Sequence, residues 1–305
     1  MSLVLEEVTM TTLAAAIKPK IEILDLGLAL YAGFTLKDKT HENGFSTRLT
    51  DSHAPVTFAE ISGLTGIPLS HTVLTAKWPH GDRVAIIKDL ADTCIDQRFG
   101  TRNPSLSADK YGFENSCDGL VTNSHEFTLG VQSADCPMLF LHDPVSGVIG
   151  AIHCGWKPLV RGIIYSAVRA FKNLGSNPLN ILAYLSPGAG DGVYEFGVND
   201  STRNIFADAN REGLLEPQHK FIRPIEQAAK RALANCLGRL ESEINNPAFA
   251  LTFLATEDLR LAGIDVNNIT VDQRSSILDP TLHSHRRDGD ASGRSFGFIR
   301  FADQD

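Results

Sequence analysis

The sequence predicts an α+β fold: a single compact domain of mixed β-sheets with helices packed on them in layers. Three observations predict it. The centre of the chain holds apolar runs of strand length, and two segments further on carry apolar residues at helical spacing. These strands and helices do not alternate as regular βαβ units, which argues against a doubly wound parallel sheet. A chain of 305 residues, 43% hydrophobic and 21% charged, can bury a large core and has the balance of an ordinary globular protein.

Taken in order, residues 1–20 read as an N-terminal extension and residues 21–305 as the domain. Ile21 to Phe34 is apolar enough for a strand or two, GFSTR (Gly44 to Arg48) is a compact turn, and Val56 to Leu64 reads as a short helix. Val84 to Ile87 is a strand, and Asp96 to Cys117 a polar, glycine-bearing loop. Val131 to Leu141 and Val148 to Cys154 are strand-length runs joined by HDPVSG, whose Asp-Pro and Gly are turn chemistry, so the two read as a hairpin. Pro158 falls in a first helical turn, and Leu159, Ile163, Val168 and Phe171 line one face of a helix that Gly175 ends. Ile181 to Leu185 is a further strand, followed by the glycine-rich SPGAGDG loop. Pro224 to Ile244 has the strongest helical pattern; Thr256 to Ala262 and a strand at Ile269 to Val271 lead to a polar tail containing HSHRRDGDASGR.

Charge and cysteine usage narrow the function classes. A formal charge of -8 with no dense Lys/Arg run argues against nucleic acid as ligand. Five cysteines (Cys94, Cys117, Cys136, Cys154, Cys236) are an odd, small set, and the first residues lack the positive n-region of a secretory leader, so free thiols in a reducing compartment are expected. No apolar run reaches the ~18 residues that span a bilayer. A soluble, cytoplasmic protein without membrane partner is the expectation, as monomer or homodimer.

The chemistry concentrates in SADCPMLFLHDPVSGVIGAIHCGW (Ser133 to Trp156), where an acid, two thiols and two imidazoles interrupt buried-strand sequence. Polar groups in such a place need partners or serve a site. If the hairpin closes near Pro144 to Ser146, Cys136 and His153 fall opposite each other, and thiolate plus imidazole suit zinc. A third ligand is wanted, and His80 in WPHGDRV is a candidate, although spacing alone does not select it over His71, His125, His142 or His283. Cys136 reads equally as a packing residue. Cys154 should point away from His153 and pack, whereas Cys117 could be an exposed thiol. Asp118 and Asp135 are the nearest carboxylates: either could move a proton or orient a ligating histidine, and Asp118-Gly119 is also turn chemistry. Arg48 and Arg286 carry guanidinium forks that match phosphate oxygens or simply face solvent.

The strings HGDRV, CDGLVTN, SADCPMLFLHD, AIHCGW and SHRRDGDASGR occur in the order found in the multicopper polyphenol oxidase, or laccase-domain, family. Also called YfiH-like, it includes peptidoglycan editing factor and FAMIN-type purine nucleoside enzymes, and the likeness runs from Gly44 to Arg294. This resemblance implies zinc held by His80, Cys136 and His153. It implies phosphorolysis of adenosine, inosine, guanosine and methylthioadenosine, together with adenosine deamination, with phosphate near Arg48 and Arg286 and proton transfer by Asp135 or Asp118. The sequence departs from the family pattern HAGWRG at Lys157 and Pro158, at Asn43 where a histidine is usual, and at Ser186-Pro187. Copper oxidation would need more clustered histidines than the ten in this chain supply. Two other readings stay open: a hydrolase with Cys136 as nucleophile and His153 as its base, and a non-enzymatic zinc-stabilised module in peptidoglycan precursor editing.

Overall fold

The hydrophobic pattern of the central strands has no polar face, and the fold shows why: they are covered on both sides. The computed structural model describes residues 21–26, 30–38, 44–48, 54–68, 71–75, 80–88 and 117–302. The extension at 1–20, Asn43, Cys94 and the loop at 96–116 lie outside the described residues.

Two sheets stack face to face. The five-stranded sheet has β1 (Ile21–Leu24), β2 (Leu30–Thr35), β3 (Thr72–Leu74), β6 (Thr128–Ser133) and β13 (Ser295–Phe301) in the order β1-β2-β13-β6-β3. The six-stranded sheet runs β12-β9-β7-β8-β5-β4, from β4 (Val84–Ile86), β5 (Gly119–Thr122), β7 (Met138–Asp143), β8 (Val148–His153), β9 (Leu182–Leu185) and β12 (Ile269–Val271). Strand alternation sorts the side chains. Leu120, Phe140, Ile149 and Ala151 face the other sheet and meet Phe34, Leu129, Val131 and Ile299. Their neighbours Val121, Leu139, Leu141 and Ile152 face the opposite way, onto helices.

Those helices are α2 (Trp156–Arg161), α3 (Ile163–Asn173), α4 (Asp200–Asp208), α5 (Gln227–Leu237) and α6 (Leu251–Leu261). The face formed by Leu159, Ile163, Val168 and Phe171 is buried there, each such side chain contributing about 1.5–3 kcal/mol. On the far side of the five-stranded sheet, Phe58 and Ile61 of α1 (Ala54–Thr65) pack against Phe296 and Phe298. The result is a helix–sheet–sheet–helix sandwich, completed by the short pair β10 (Ile222–Arg223) and β11 (Ala248–Phe249) and by α7 (His285–Asp288). No helix among the described residues is long and apolar enough to cross a membrane.

Three sequence expectations change. The run Val131 to Leu141 is two strands, not one: the chain leaves one sheet after Ser133 and enters the other at Met138. Pro137, which has no N–H to give to a ladder, and Asp135, at φ 81°, make the crossing between them. The helix after Pro158 is divided at Gly162, whose φ of 91° no β-carbon-bearing residue adopts easily. Helix α5 occupies only the middle of Pro224 to Ile244, because Gly238 takes the left-handed cap position and terminates it. The hairpin itself forms as read, with Asp143 Oδ1 accepting from the amides of Val145 and Ser146 across the turn.

Behind the β6–β7 crossing lies His283, which is 3% exposed, with no well-aligned hydrogen bond on either ring nitrogen among the described residues and the Phe45 backbone as the polar group that approaches it. Burial, with the Lys37 charge nearby, pulls its pKa from 6.5 down to about 4. The folded protein therefore keeps a neutral ring where the unfolded chain takes up a proton. This stability is present above about pH 6.5 and is lost as pH falls toward 4, approaching a loss of ~3 kcal/mol at about 1.4 kcal/mol per pKa unit. Urea midpoints measured from pH 7 to pH 4 should decline less steeply in His283→Leu than in the wild type; equal slopes would show that another group governs acid unfolding.

Candidate active site

Three chain segments meet at the β6–β7 crossing: residues 133–138, Cys154 and residues 186–189. Ser133 Oγ donates to Cys136 O at 2.6 Å, the Ala189 amide to Asp135 O at 2.6 Å, and the Cys154 amide to Pro137 O at 2.9 Å. Ser186 accepts from the Met138 amide at 2.8 Å through its hydroxyl, so the serine of Ser186-Pro187 helps to seat the crossing. In the hairpin register Met138, not Cys136, stands opposite His153. Cys136 reaches His153 from the turn instead of from a strand, and its partly exposed sulfur lies within hydrogen-bond reach of the ring.

Gly155 makes this approach possible. A β-carbon there would sit 3.2 Å from Cys136 Sγ, 3.2 Å from His153 Cε1 and 3.4 Å from His153 Nε2, so thiol and imidazole edge face the same point over bare backbone. The other ring nitrogen, Nδ1, is 3.0 Å from Asp118 Oδ1. Asp118 is fully buried, and its second oxygen accepts the Gly81 amide at 2.8 Å. One carboxylate thus ties His153 to the segment that carries His80. The His80 and His153 rings lie 5.7 Å apart between centroids, nearly edge to face. Burial opposes charge on His153, yet the negative charge of Cys136 and the hydrogen bond to Asp118 outweigh it, and the ring is pushed up to about 9.

The donor set fits a tetrahedral ion. Two imidazoles on one ion at the usual Zn–N distance place their centroids about 5 Å apart, close to the spacing found. As they stand, no three His, Cys, Asp or Glu side chains among the described residues are drawn in tightly enough to enclose a metal. The carboxylate behind His153 is the arrangement that orients a ligating imidazole and raises its basicity.

In front of these residues opens a cavity of about 240 Å³, whose lining also includes Tyr194, Arg286 and Arg294. Arg286 stacks on Tyr194, with its guanidinium carbon 4.8 Å from the ring centroid. Burial, with the negative charge of Cys136, pushes the Tyr194 hydroxyl up to about 12. Asp135 also borders the cavity, but its carboxylate is occupied: Oδ1 accepts Ser276 Oγ and Oδ2 the Arg286 amide, both at 2.7 Å. Arg48 does not line the cavity. Its guanidinium donates to Asp290 O at 2.6 Å, and its segment zips onto Arg294 through Ser46 and Thr47.

Arg294 and Tyr194 were not among the sequence candidates. Arg294 ends the same DGDASGR string that follows Arg286, so the signal existed. Tyr194 follows a glycine-rich loop, and nothing local announces that Arg286 will cover it. The other four histidine candidates separate cleanly: His71 is exposed just before β3, His142 bonds Leu26 O at 3.2 Å, His125 stacks on Phe301, and His283 is buried behind the crossing. Cys154 packs in the core, as expected. Cys117 is not an exposed thiol but fully buried between the sheets. Lys157 lies over the Trp156 ring and Pro158 is buried in α2, so neither departure from HAGWRG borders the cavity.

Comparison with known proteins gives a consistent picture. A purine nucleoside phosphorylase of Mycobacterium tuberculosis is 26% identical over 230 residues, 75% of this chain and 72% of that protein. A purine nucleoside phosphorylase of Deinococcus radiodurans is 31% identical over 182 residues, 60% of each chain. The crystal structure of the hypothetical protein YfiH from Bacillus licheniformis superposes with a TM-score of 0.72 at 24% identity, covering 93% of this chain and 97% of that one, which establishes the shared fold. The family described as multi-copper polyphenol oxidoreductase laccase matches residues 44–302, a span that includes every residue bordering the cavity, and the chain belongs to that family.

Proposed function

We propose that the protein is a zinc-dependent purine nucleoside phosphorylase that also deaminates adenosine. The observation that carries this reading is the convergence of His80, Cys136 and His153 on a cavity that Arg286 and Arg294 also line. The names of the Mycobacterium and Deinococcus relatives support the phosphorylase part.

His80, Cys136 and His153 would hold the zinc, which when bound supplies a Lewis acid able to activate water near neutral pH. Asp118 holds the Nδ1 side of His153, so Nε2 would be the nitrogen that turns to a metal once its proton is displaced. Arg286 and Arg294 present cationic forks to a phosphate placed beside the sugar, where attack at the anomeric carbon develops positive charge and the purine leaves. Asp135 acts through Arg286: bonded to its backbone amide, it sets where α7 begins and so where the guanidinium lies. With each oxygen accepting one hydrogen bond, Asp135 and Asp118 act here as orienting groups, and each oxygen keeps a second lone pair with which to take a proton. Arg48 donates to the loop at 290–292 and lies outside the cavity lining, so the phosphate is assigned here to Arg286 and Arg294. Adenosine, inosine, guanosine and methylthioadenosine are the substrates to test, with no nucleic acid or membrane partner.

The donor set does not suit a multicopper oxidase. Among the described residues the cavity is bordered by three histidines, His80, His153 and His285, too few for a cluster of coppers beside an electron-transfer centre. The pairing of Cys136 with a raised His153 does favour a second reading, a cysteine-nucleophile hydrolase. Retained activity in metal-loaded Cys136→Ser would end that reading.

Incubation of purified protein with adenosine, with and without phosphate, separates the chemistries. Chromatography should show adenine only when phosphate is present and inosine in both tubes, and His153→Ala should lose both products; unchanged adenosine throughout would overturn the assignment. Arg286→Ala and Arg294→Ala test the anion wall. Loss of a charge-assisted hydrogen bond of ~1.5–3 kcal/mol predicts that KM for phosphate rises about 10- to 100-fold while phosphate-independent inosine formation changes far less. Equal loss of both activities would show that these arginines do not act on phosphate.

A further inference from the structure

The peptide group between His80 and Gly81 is gripped at both ends. Its N–H donates to Asp118 Oδ2 at 2.8 Å, and its carbonyl accepts from Arg161 Nη1. His80 itself has φ 53°, a left-handed conformation that costs a non-glycine residue about 1–2 kcal/mol and persists only where the surroundings determine it. Asp118 supplies one determinant from the buried side, and Arg161 supplies the other from the exposed side.

The location of Arg161 matters as much as its hydrogen bond. It is the last residue of α2, and the left-handed cap at Gly162 fixes where that helix stops. Helix α2 starts at Trp156, three residues after His153, and is capped by the same Gly155 over which Cys136 and His153 meet. Arg161 therefore refers the position of His80 to the segment that carries His153. Asp118 does the same by a separate route, through its bond to the His153 ring.

We propose that Arg161 is a positioning residue for the metal site, holding the His80 backbone so that its imidazole faces His153 and Cys136. This rests on reading those three residues as ligands. Arg161 acts through His80 and touches neither metal nor substrate. Outer partners of ligating residues affect metal affinity by about 10- to 100-fold when removed, and an exposed group that holds backbone instead of the ring belongs at the lower end, about tenfold.

Titration of metal-free, full-length protein with Co2+, followed by thiolate-to-cobalt absorption in the near ultraviolet, tests the proposal without reference to catalysis. Arg161→Ala should develop the band at about tenfold higher Co2+ than the wild type, with unchanged far-ultraviolet circular dichroism. Arg161→Lys retains a cationic donor and should fall between them. If the wild type shows the band and Arg161→Ala titrates within twofold of it, the role of Arg161 is overturned while the metal reading stands. Absence of the band in the wild type, or its full retention in Cys136→Ala, overturns the ligand set and the proposal with it.

Discussion

The carboxylate of Asp118 is the constraint on which the site depends. It has no exposed surface, so its charge is stable there only because donors meet it. His153 Nδ1 and the Gly81 amide do so. The Asp118 backbone adds two more links, accepting the His153 amide at 2.7 Å and donating to Arg83 O at 3.1 Å. Strands β4, β5 and β8 are therefore joined at the end of the sheet where the histidines lie. Neither imidazole can shift without disturbing the other, and a cavity wall made of mobile rings becomes a fixed one. Breaking one partner of such a buried group strands the rest, which is why its effect should exceed that of an exposed ion pair.

Much of this fold was legible in the sequence because apolar length and turn chemistry are local. The β7–β8 hairpin, β12 and the apolar face of α3 follow from residues close together in the chain. What local pattern cannot express is which sheet a strand joins. Both faces of β6 and β7 are buried, so Val131 to Leu141 has no polar beat to show where one strand ends, and Pro137 is the sole local mark of the crossing. The same ambiguity misplaced Cys136, which lies on the turn and not within a strand. Gly162 and Gly238 ended helices for a different reason: their neighbours keep helical spacing, and only the backbone angle reveals the break.

The site was legible to a different degree. Motif resemblance pointed to His80, Cys136 and His153, whereas spacing alone left His80 equivalent to His71, His125, His142 and His283, and the fold separates these five by placing only His80 at the cavity. Arg48 and Arg286 looked alike as guanidiniums beside short motifs. Their difference is tertiary: GFSTR and DGDASGR zip together through Ser46, Thr47 and Arg294, so Arg48 donates to Asp290 O at that junction, while Arg294, whose Nη1 donates to Ser292 O and Gly293 O, lines the cavity. Tyr194 had no local signal, since its partner lies 92 positions away along the chain.

Charge placement joins these observations to chemistry. The two carboxylates nearest the thiol direct their lone pairs at Ser276, at backbone amides and at the His153 ring. These acceptors are thereby committed to architecture, while Arg286 and Arg294 line the open space. An anion entering that space meets donors without having to displace a carboxylate, and a cation bound among His80, Cys136 and His153 would strengthen the same field. Tyr194, stacked beneath Arg286 with its hydroxyl pushed up to about 12, stays neutral across the physiological range and forms a flat, uncharged wall beside the cationic one. A ligand with one anionic end and one planar, uncharged ring satisfies both walls at once.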